Sequence, residues 1–573
     1  TWASSYPEEG SFGDIDDSYY KEGIYVGYRY FDTMNLKPLF PFGYGLSYTD
    51  FKISNPQASL VGTSVLIKCT VTNTGRFRGK EVVQLYVSSP SVKLDQPYQS
   101  LCAFRKTDEI LPGSSAEVEL CFDMAEISSY STELESYVLE EGLYVLRLGS
   151  GSRDTSVAAA VSLDSTVTVK KVKNVLGDCG FKDLVPEKAE PEKLPEGTKI
   201  LNLSSEAFKT ETVLYGKKEE IEEFAKSLTD EEICYLNIGR FKTGPLSIIG
   251  NASRKVAGAA GDFTDKLLKK GFPVTTLADG PAGLRLNRKY FIDKDGCAAP
   301  VGNDALAILS DFIPDAVMKM MALAQKKPKK DQEVFEQYCT MIPIGTAVAQ
   351  SFNTDVARAF GDLVGEEMKE FKVDIWLAPA MNIHRDVRCG RNFEYYSEDP
   401  LLSGKIAAAV TKGVQSHPGK AVTIKHYAAN NQENNRYGSN SHVSERAMRE
   451  IYLKGFSIAV REASPKCVMT SYNLLNGTHT SEHKGLVESI LRDEFGFSGV
   501  VMTDWIVGGM ESRGKYGAPS SCKIAGAGGD VMMPGSEGDY KTLLSGLKCG
   551  LVSRSQLEEN ASRMFRLAKE LNP

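Results

Sequence analysis

"GVVMTDW", residues 499–505, is a short apolar run that ends on an acid and an indole. Its length and β-branched content read as a buried strand, which leaves Asp504 standing at the strand's C-terminal end. Alone, that position suits the N-cap of a following helix as well as it suits a functional carboxylate. Runs of the same kind recur upstream and downstream: "VTTLADG" (274–280), "DIWLAPAMN" (374–382), "AVTIKHYA" (421–428), "CVMTSYN" (467–473) and "GGDVMMPG" (528–535). Between them lie helical patterns such as "LLSGKIAAAVTKGVQSH" and "SERAMREIYLKGFSIAVREA", and the capping box "TDEE" at 229–232 opens another helix.

Repeated βα units over residues 217–573 predict either a doubly wound sheet or a (β/α)8 TIM-type barrel, of which about six strands can be pointed out. Most of the runs end in polar or ionisable residues: Asp279, Asn382, Lys425 with His426, Ser471 with Tyr472, and Asp504, with Asp530 near the start of the last. A barrel gathers such ends on one face, whereas a doubly wound sheet collects them only at its switch point, so the pattern favours the barrel.

The chain before this region has a different grammar. "SVLIKCTVTN", "KEVVQLYVSS", "AEVELCF" and "GLYVLRLGSG" alternate in strand fashion, separated by turn signals, and predict a β-sandwich over 51–170. Residues 171–216, including the Pro-, Glu- and Lys-rich "LVPEKAEPEKLPEGTK" (184–199), read as a linker.

Composition narrows the function. The 573 residues carry 67 basic and 74 acidic side chains, a net charge of −7, with no basic footprint for nucleic acid. "KKPKK" at 326–330 reads as a solvated loop. Eleven dispersed cysteines without a CxxC pair predict neither a disulfide framework nor a structural zinc. They suggest a reducing compartment, hence a cytoplasmic location, and no apolar run is long enough to span a membrane. The HxxxH at 479–483 lacks a third ligand, and no phosphate-binding glycine loop is present, so no metal or cofactor is expected. "GAGGD" at 526–530 reads as a close backbone approach to a strand.

What remains is an inventory suited to a polyhydroxylated ligand: Asp279, Asp504 and Asp530, the loop arginines Arg285, Arg391 and Arg436, the Lys425–His426 pair, Tyr472 and Trp505. Carboxylates and charged donors fit vicinal hydroxyls, and an aromatic face fits the C–H side of a sugar ring.

Six ordered motifs carry a resemblance: "LADGPAGLR" (277–285), "NIHRDVRCGRNFEYYSEDP" (382–400), "KHYAANNQENNR" (425–436), "SERAMREIYL" (444–453), "MTSYNLLNG" (469–477) and "GVVMTDW". Together they resemble glycoside hydrolase family 3, in particular its β-glucosidases. The resemblance implies a barrel over 217–573, a fibronectin type III-like sandwich over 51–170, and in residues 1–50 the C-terminal portion of an α/β-sandwich domain. It further implies double displacement, with Asp504 as nucleophile. Asp279 would hold the outer hydroxyls of a β-glucoside or oligosaccharide, with Arg285, Arg391, Lys425, His426 and Arg436 completing the cradle. Tyr472 would lie beside the nucleophile and Trp505 would line the ring's face or the subsite entrance. The family usually has Ser at the position of Thr503. A branch acting on N-acetylglucosaminides carries a "KHFPGHG" type segment as its proton donor, and "KHYAANNQ" departs from it.

Two departures from the common family pattern stand out. The barrel comes last, an order some members share, and the segment that carries the family's general acid/base glutamate has no match. Glu8, Glu9 and Glu22 do not lie in a matching loop. The exposed edges expected of a cut sheet, with Tyr25, Val26, Tyr28 and Phe31, lead to the expectation that a separate N-terminal chain complements residues 1–50. A β-xylosidase or broad β-glycosidase is the enzyme alternative, and a sugar-binding or inactive fragment the non-enzyme one. Residues 287–340 match no usable motif.

Overall fold

The structure, a computed structural model, describes residues 12–187, 193–241, 253–302, 327–508 and 514–572. The sandwich grows from plain alternation. In Ser64–Asn73, Val65, Ile67, Cys69 and Val71 are buried while the residues between them face outward, as the period of two in a half-buried strand requires. They pack with Val118, Leu120 and Phe122 from Ser115–Asp123 and, across the sandwich, with Leu146, Leu148, Ala159 and Val161. Each such side chain contributes about 1.5–3 kcal/mol when removed from water. One sheet orders Phe51–Val61, Ser64–Asn73 and Ser115–Asp123; the facing sheet contains Ile200–Leu203, Asp154–Leu163, Gly142–Gly151, Val82–Ser88 and Ser100–Lys106.

The region read as a linker is therefore partly structural. Ile200–Leu203 adds a parallel edge strand beside Asp154–Leu163, and Leu203 enters the sandwich core. Glu211–Thr212 likewise pairs with Val167–Lys171. The composition of 184–199 hid this, because the apolar anchors come just after the Pro/Glu/Lys run.

In the C-terminal region six strands form one sheet in the order Gly261–Asp262, Thr276–Asp279, Ile375–Leu377, Ala421–Tyr427, Cys467–Thr470, Val500–Met502. The first pair is antiparallel and the rest parallel. Backbone hydrogen bonds join the two ends of this sheet into a ring. Val531 bridges Met502 in parallel fashion, Met532 N–H donates to Asn237 O, and Arg240 N–H donates to Asp262 O. Helices pack outside: the predicted Pro400–Gln415 lies against Lys454–Ala463, also predicted, and against Thr354–Glu370, which the sequence reading did not single out. "TDEE" forms the expected capping box, with Thr229 and Glu232 exchanging hydrogen bonds at the start of Asp230–Ile238.

The N-terminal segment corrects an expectation. Asp17–Tyr19 pairs with Asn440–His442, and Tyr19 stacks on His442 at 4.5 Å. Glu22 forms a buried ion pair with Arg385, and Tyr28 and Arg29 both donate to Asp399 at 2.9 and 2.8 Å. Tyr25, Val26, Tyr28 and Phe31, expected to be exposed, are all at most 8% accessible. Their own chain covers them, because the helix Tyr28–Thr33 sits between the sandwich and the ring. Leu39, Leu46 and Tyr48, farther along, remain open. Among the described residues, no helix is long and apolar enough to cross a membrane.

Candidate active site

Parallel strands place their C-terminal ends on one side of the sheet, where the predicted residues meet. Asp279 ends Thr276–Asp279. The following "GPAGLR" turns back on itself because Gly280 and Gly283 adopt positive φ at points where a Cβ would lie 2.0 and 2.1 Å from carbonyl oxygens. That turn brings Arg285 to 2.6 Å from Asp279. Lys425 Nζ reaches the other carboxylate oxygen at 2.7 Å. Burial alone would raise the Asp279 pKa; Lys425 and Arg285 outweigh it and hold the carboxyl well below the usual range.

Lys425 and His426 are neighbours in Ala421–Tyr427, and a regular strand would point them to opposite faces. The pairing to Cys467–Thr470 slips between Ile424 and Tyr427, an irregularity of the kind that re-aims side chains. Both then enter the site, but at different carboxylates. Lys425 serves Asp279, while His426 Nε2 lies 3.5 Å from Asp504 Oδ2.

Asp504 follows Val500–Met502 and is buried. Its Oδ1 accepts the Trp505 N–H at 2.7 Å, whereas Oδ2 has no hydrogen-bond partner. Desolvation raises its pKa, and Arg391, Lys425 and Arg436 pull it back down without cancelling the rise. Tyr472 lies beside it; burial and the Asp504 charge push the phenol well above its ordinary value. The Tyr472 hydroxyl donates to Trp505 O at 2.9 Å, and the indole Nε1 donates to Ala260 O at 3.1 Å. Ile506 completes this turn with φ 62°, a backbone setting that costs a β-branched residue about 1–3 kcal/mol. The Thr503 hydroxyl accepts Met533 N–H at 2.9 Å from the adjoining segment of the ring.

The two remaining arginines are each tethered. Arg391 pairs with Glu394, and Arg436 bonds Glu433 at 2.9 Å while lying 4.8 Å from the Tyr472 ring centre. His426 is fully enclosed, and burial together with Arg391, Lys425 and Arg436 keeps it neutral. The structure thus brings together all nine predicted residues, Asp504, Asp279, Arg285, Arg391, Lys425, His426, Arg436, Tyr472 and Trp505. Asp530 does not join them. It lies level with Val501 at the other end of its segment, held by Arg492 and Arg563 at 2.8 and 2.7 Å. His479 faces the carbonyls of Gly517 and Tyr472 at 2.8 and 3.3 Å, and its ring N–H donates to one of them.

Sequence reasoning passed over Tyr395, Asn430 and Glu433. All lie inside quoted motifs, but nothing in a string separates a tyrosine behind a histidine from one in a core.

Residues 322–567 match the glycosyl hydrolase family 3 N-terminal domain, and residues 81–152 match the fibronectin type III-like domain. Over 98% of its length the chain is 32% identical to β-glucosidase A of Butyrivibrio fibrisolvens and 34% identical to a β-glucosidase of Ruminococcus albus. It spans 66% and 56% of the length of those relatives. Over 52% of the chain it is 35% identical to an exo-α-(1→6)-L-arabinopyranosidase of Bifidobacterium longum. The crystal structure of a β-glucosidase from Paenibacillus barengoltzii superposes over the whole chain with a TM-score of 0.77 and 30% identity, 60% of that protein being covered.

Proposed function

We propose that this chain, which carries a glycosyl hydrolase family 3 domain, is the nucleophile-bearing part of a retaining, exo-acting β-glucosidase. In this reading the closed ring is a (β/α)8-type barrel with one antiparallel position, and its C-terminal face binds a terminal β-D-glucosyl residue. The observation that carries the reading is the state of Asp504: buried, with one oxygen committed to a backbone N–H and the other unpaired and surrounded by three cations. A structural carboxylate is saturated with donors; an attacking one needs a free lone pair and a field that keeps it ionised.

Asp504 attacks the anomeric carbon, forming a glycosyl-enzyme that water then hydrolyses with net retention. Asp279, Lys425 and Arg285 form a charged unit whose remaining donors and acceptors suit the sugar's outer hydroxyls. Asp279 favours a hexose with such hydroxyls. The pentopyranose-acting relative named above supports the second reading, a β-xylosidase or broader β-glycosidase.

Retention also requires a second carboxyl group about 5–5.5 Å from the nucleophile. Around Arg391, Glu394 and Glu433 are both already paired with arginines, and Asp279 with Lys425. The acid/base is therefore assigned to chain outside the described residues, in keeping with the greater length of the relatives. Because residues 17–33 are covered by their own chain, they give no ground for requiring a separate companion polypeptide.

The test compares two aryl β-glucosides, one with a dinitrophenyl leaving group and one with an alkylphenyl group. Glycosylation needs little acid help with the first and much with the second. Turnover of the first alone supports a working nucleophile whose acid lies elsewhere; turnover of both places the acid within the chain tested. Reaction with neither overturns the enzyme reading in favour of a sugar-binding fragment.

A further inference from the structure

We infer that Tyr395, ordered by Asn430 and Glu433, fixes the tautomer of His426 so that an Nε2–H faces the Oδ2 of Asp504. Tyr395, Asn430 and His426 are each at most 1% accessible, so no water competes for their polar atoms. A hydrogen-bonded chain links them. Glu433 Oε1 lies 3.2 Å from Asn430 Nδ2, Asn430 Nδ2 lies 3.3 Å from the Tyr395 hydroxyl, and that hydroxyl lies 3.2 Å from His426 Nδ1.

The direction of the protons follows from the end of the chain. Glu433, paired with Arg436, is a carboxylate and can only accept, so Asn430 must turn its NH2 group toward it. The second hydrogen of that NH2 group goes to the Tyr395 oxygen. The phenol thereby becomes an acceptor from Asn430, and its own proton is left for His426 Nδ1. A neutral imidazole that accepts at Nδ1 carries its hydrogen at Nε2.

A competing neighbour makes Tyr395 decisive. Asn382 Oδ1 also lies 3.4 Å from Nδ1. The orientation of Asn382 is pinned by His426's own backbone, to whose carbonyl it donates at 2.9 Å and from whose N–H it accepts at 2.8 Å. Nδ1 therefore sits between one donor and one acceptor. With the hydroxyl present it accepts; without it, Asn382 Oδ1 at Nδ1 competes with Asp504 Oδ2 at Nε2 for the one imidazole proton, and the Nδ1–H form gains population. Tyr395 is a positioning residue in this account, since it acts on Asp504 through His426.

The test is ring-15N histidine labelling of the whole chain and of Tyr395→Phe, with two-bond 1H–15N correlations. The chain has six histidines, and the His426 signal is identified by its loss in His426→Asn. The expected result is an Nε2–H tautomer in the parent protein and a measurably larger Nδ1–H population in Tyr395→Phe. Asn430→Asp, which puts an acceptor where the amide N–H stood, draws the phenol proton away and gives the same shift, and serves if Tyr395→Phe does not fold. An Nδ1–H tautomer in the parent, or an unchanged Nε2–H in a folded variant, overturns the inference. The kinetic consequence rests on the glycosidase reading: kcat/KM for the dinitrophenyl glucoside falls about 10- to 100-fold in Tyr395→Phe. A tautomer shift in a protein without turnover would leave the inference standing and sink the glycosidase reading, so the two failures are distinguishable.

Discussion

Asp504 and Asp530 lie on neighbouring segments of the same ring, both buried and both counted by composition among its acidic strand ends. Asp530 is saturated: Arg492, Arg563 and the Val501 N–H donate to its two oxygens at 2.7–2.8 Å. Asp504 keeps an oxygen without a partner, and the cations around it stand off rather than bonding it. One carboxylate is used to hold helices to strands and the other is held in readiness. The difference lies in the elements behind each: Arg492 and Arg563 reach Asp530 from Gly485–Glu494 and Arg554–Leu571, whereas the residues facing Asp504 already have partners of their own.

The largest effect that would break this comparison is at Asp504. Asp504→Asn lowers turnover of the dinitrophenyl glucoside by about 10⁴-fold or more. Because it removes an unpaired buried charge, its thermal midpoint is equal to or above that of the parent. A destabilised protein with residual activity would make Asp504 structural after all.

Asp530→Asn gives the opposite profile. It removes the carboxylate shared by two buried guanidinium groups, leaving Arg563 with Glu219 at 2.9 Å and Arg492 with Glu488 only at 3.8 Å, and costs about 3–5 kcal/mol of stability, read by denaturant unfolding. The fraction that folds at low temperature retains its kcat.

Lys425→Met sharpens the electrostatic half of the contrast. Loss of a charged hydrogen bond to Asp279 lowers kcat/KM by about 10- to 100-fold. The Asp504 pKa is raised by burial and lowered by Lys425, so removing the lysine raises it further. In the proposed mechanism Asp504 must be ionised to attack, so the acid limb of kcat moves to higher pH. Asp279 has the opposite sign. Its depressed pKa stabilises the fold above the unfolded value and is lost as pH falls through the folded one; in Lys425→Met that loss begins at higher pH.

Trp505→Phe should have the smallest effect. It deletes the indole donor to Ala260 O and costs about 1 kcal/mol, with KM rising more than kcat falls if the ring lines the sugar.

The strands, the capping box and the strand-end residues were legible because periodicity and turn chemistry are local properties of the chain. The edge strand Ile200–Leu203 was not, since only its partner in the sandwich makes four residues a strand. The covering of Tyr25 and Tyr28 was also hidden, because it comes from distant parts of the chain: Asp95, bonded to Tyr25, is 70 positions away. Asp399, bonded to Tyr28, is separated from it by 371 positions.

By itself, the sequence determined which residue types stand at which strand ends, and from their order a family resemblance that implies a nucleophile at Asp504. Only the tertiary structure decided which aspartate is saturated and which is free, that Lys425 and His426 serve different carboxylates, and that Tyr395 stands behind His426. The physical reason is that hydrogen-bond satisfaction and desolvation depend on atoms brought together from distant parts of the chain. Two buried aspartates on neighbouring segments can therefore differ wholly in charge balance once folded.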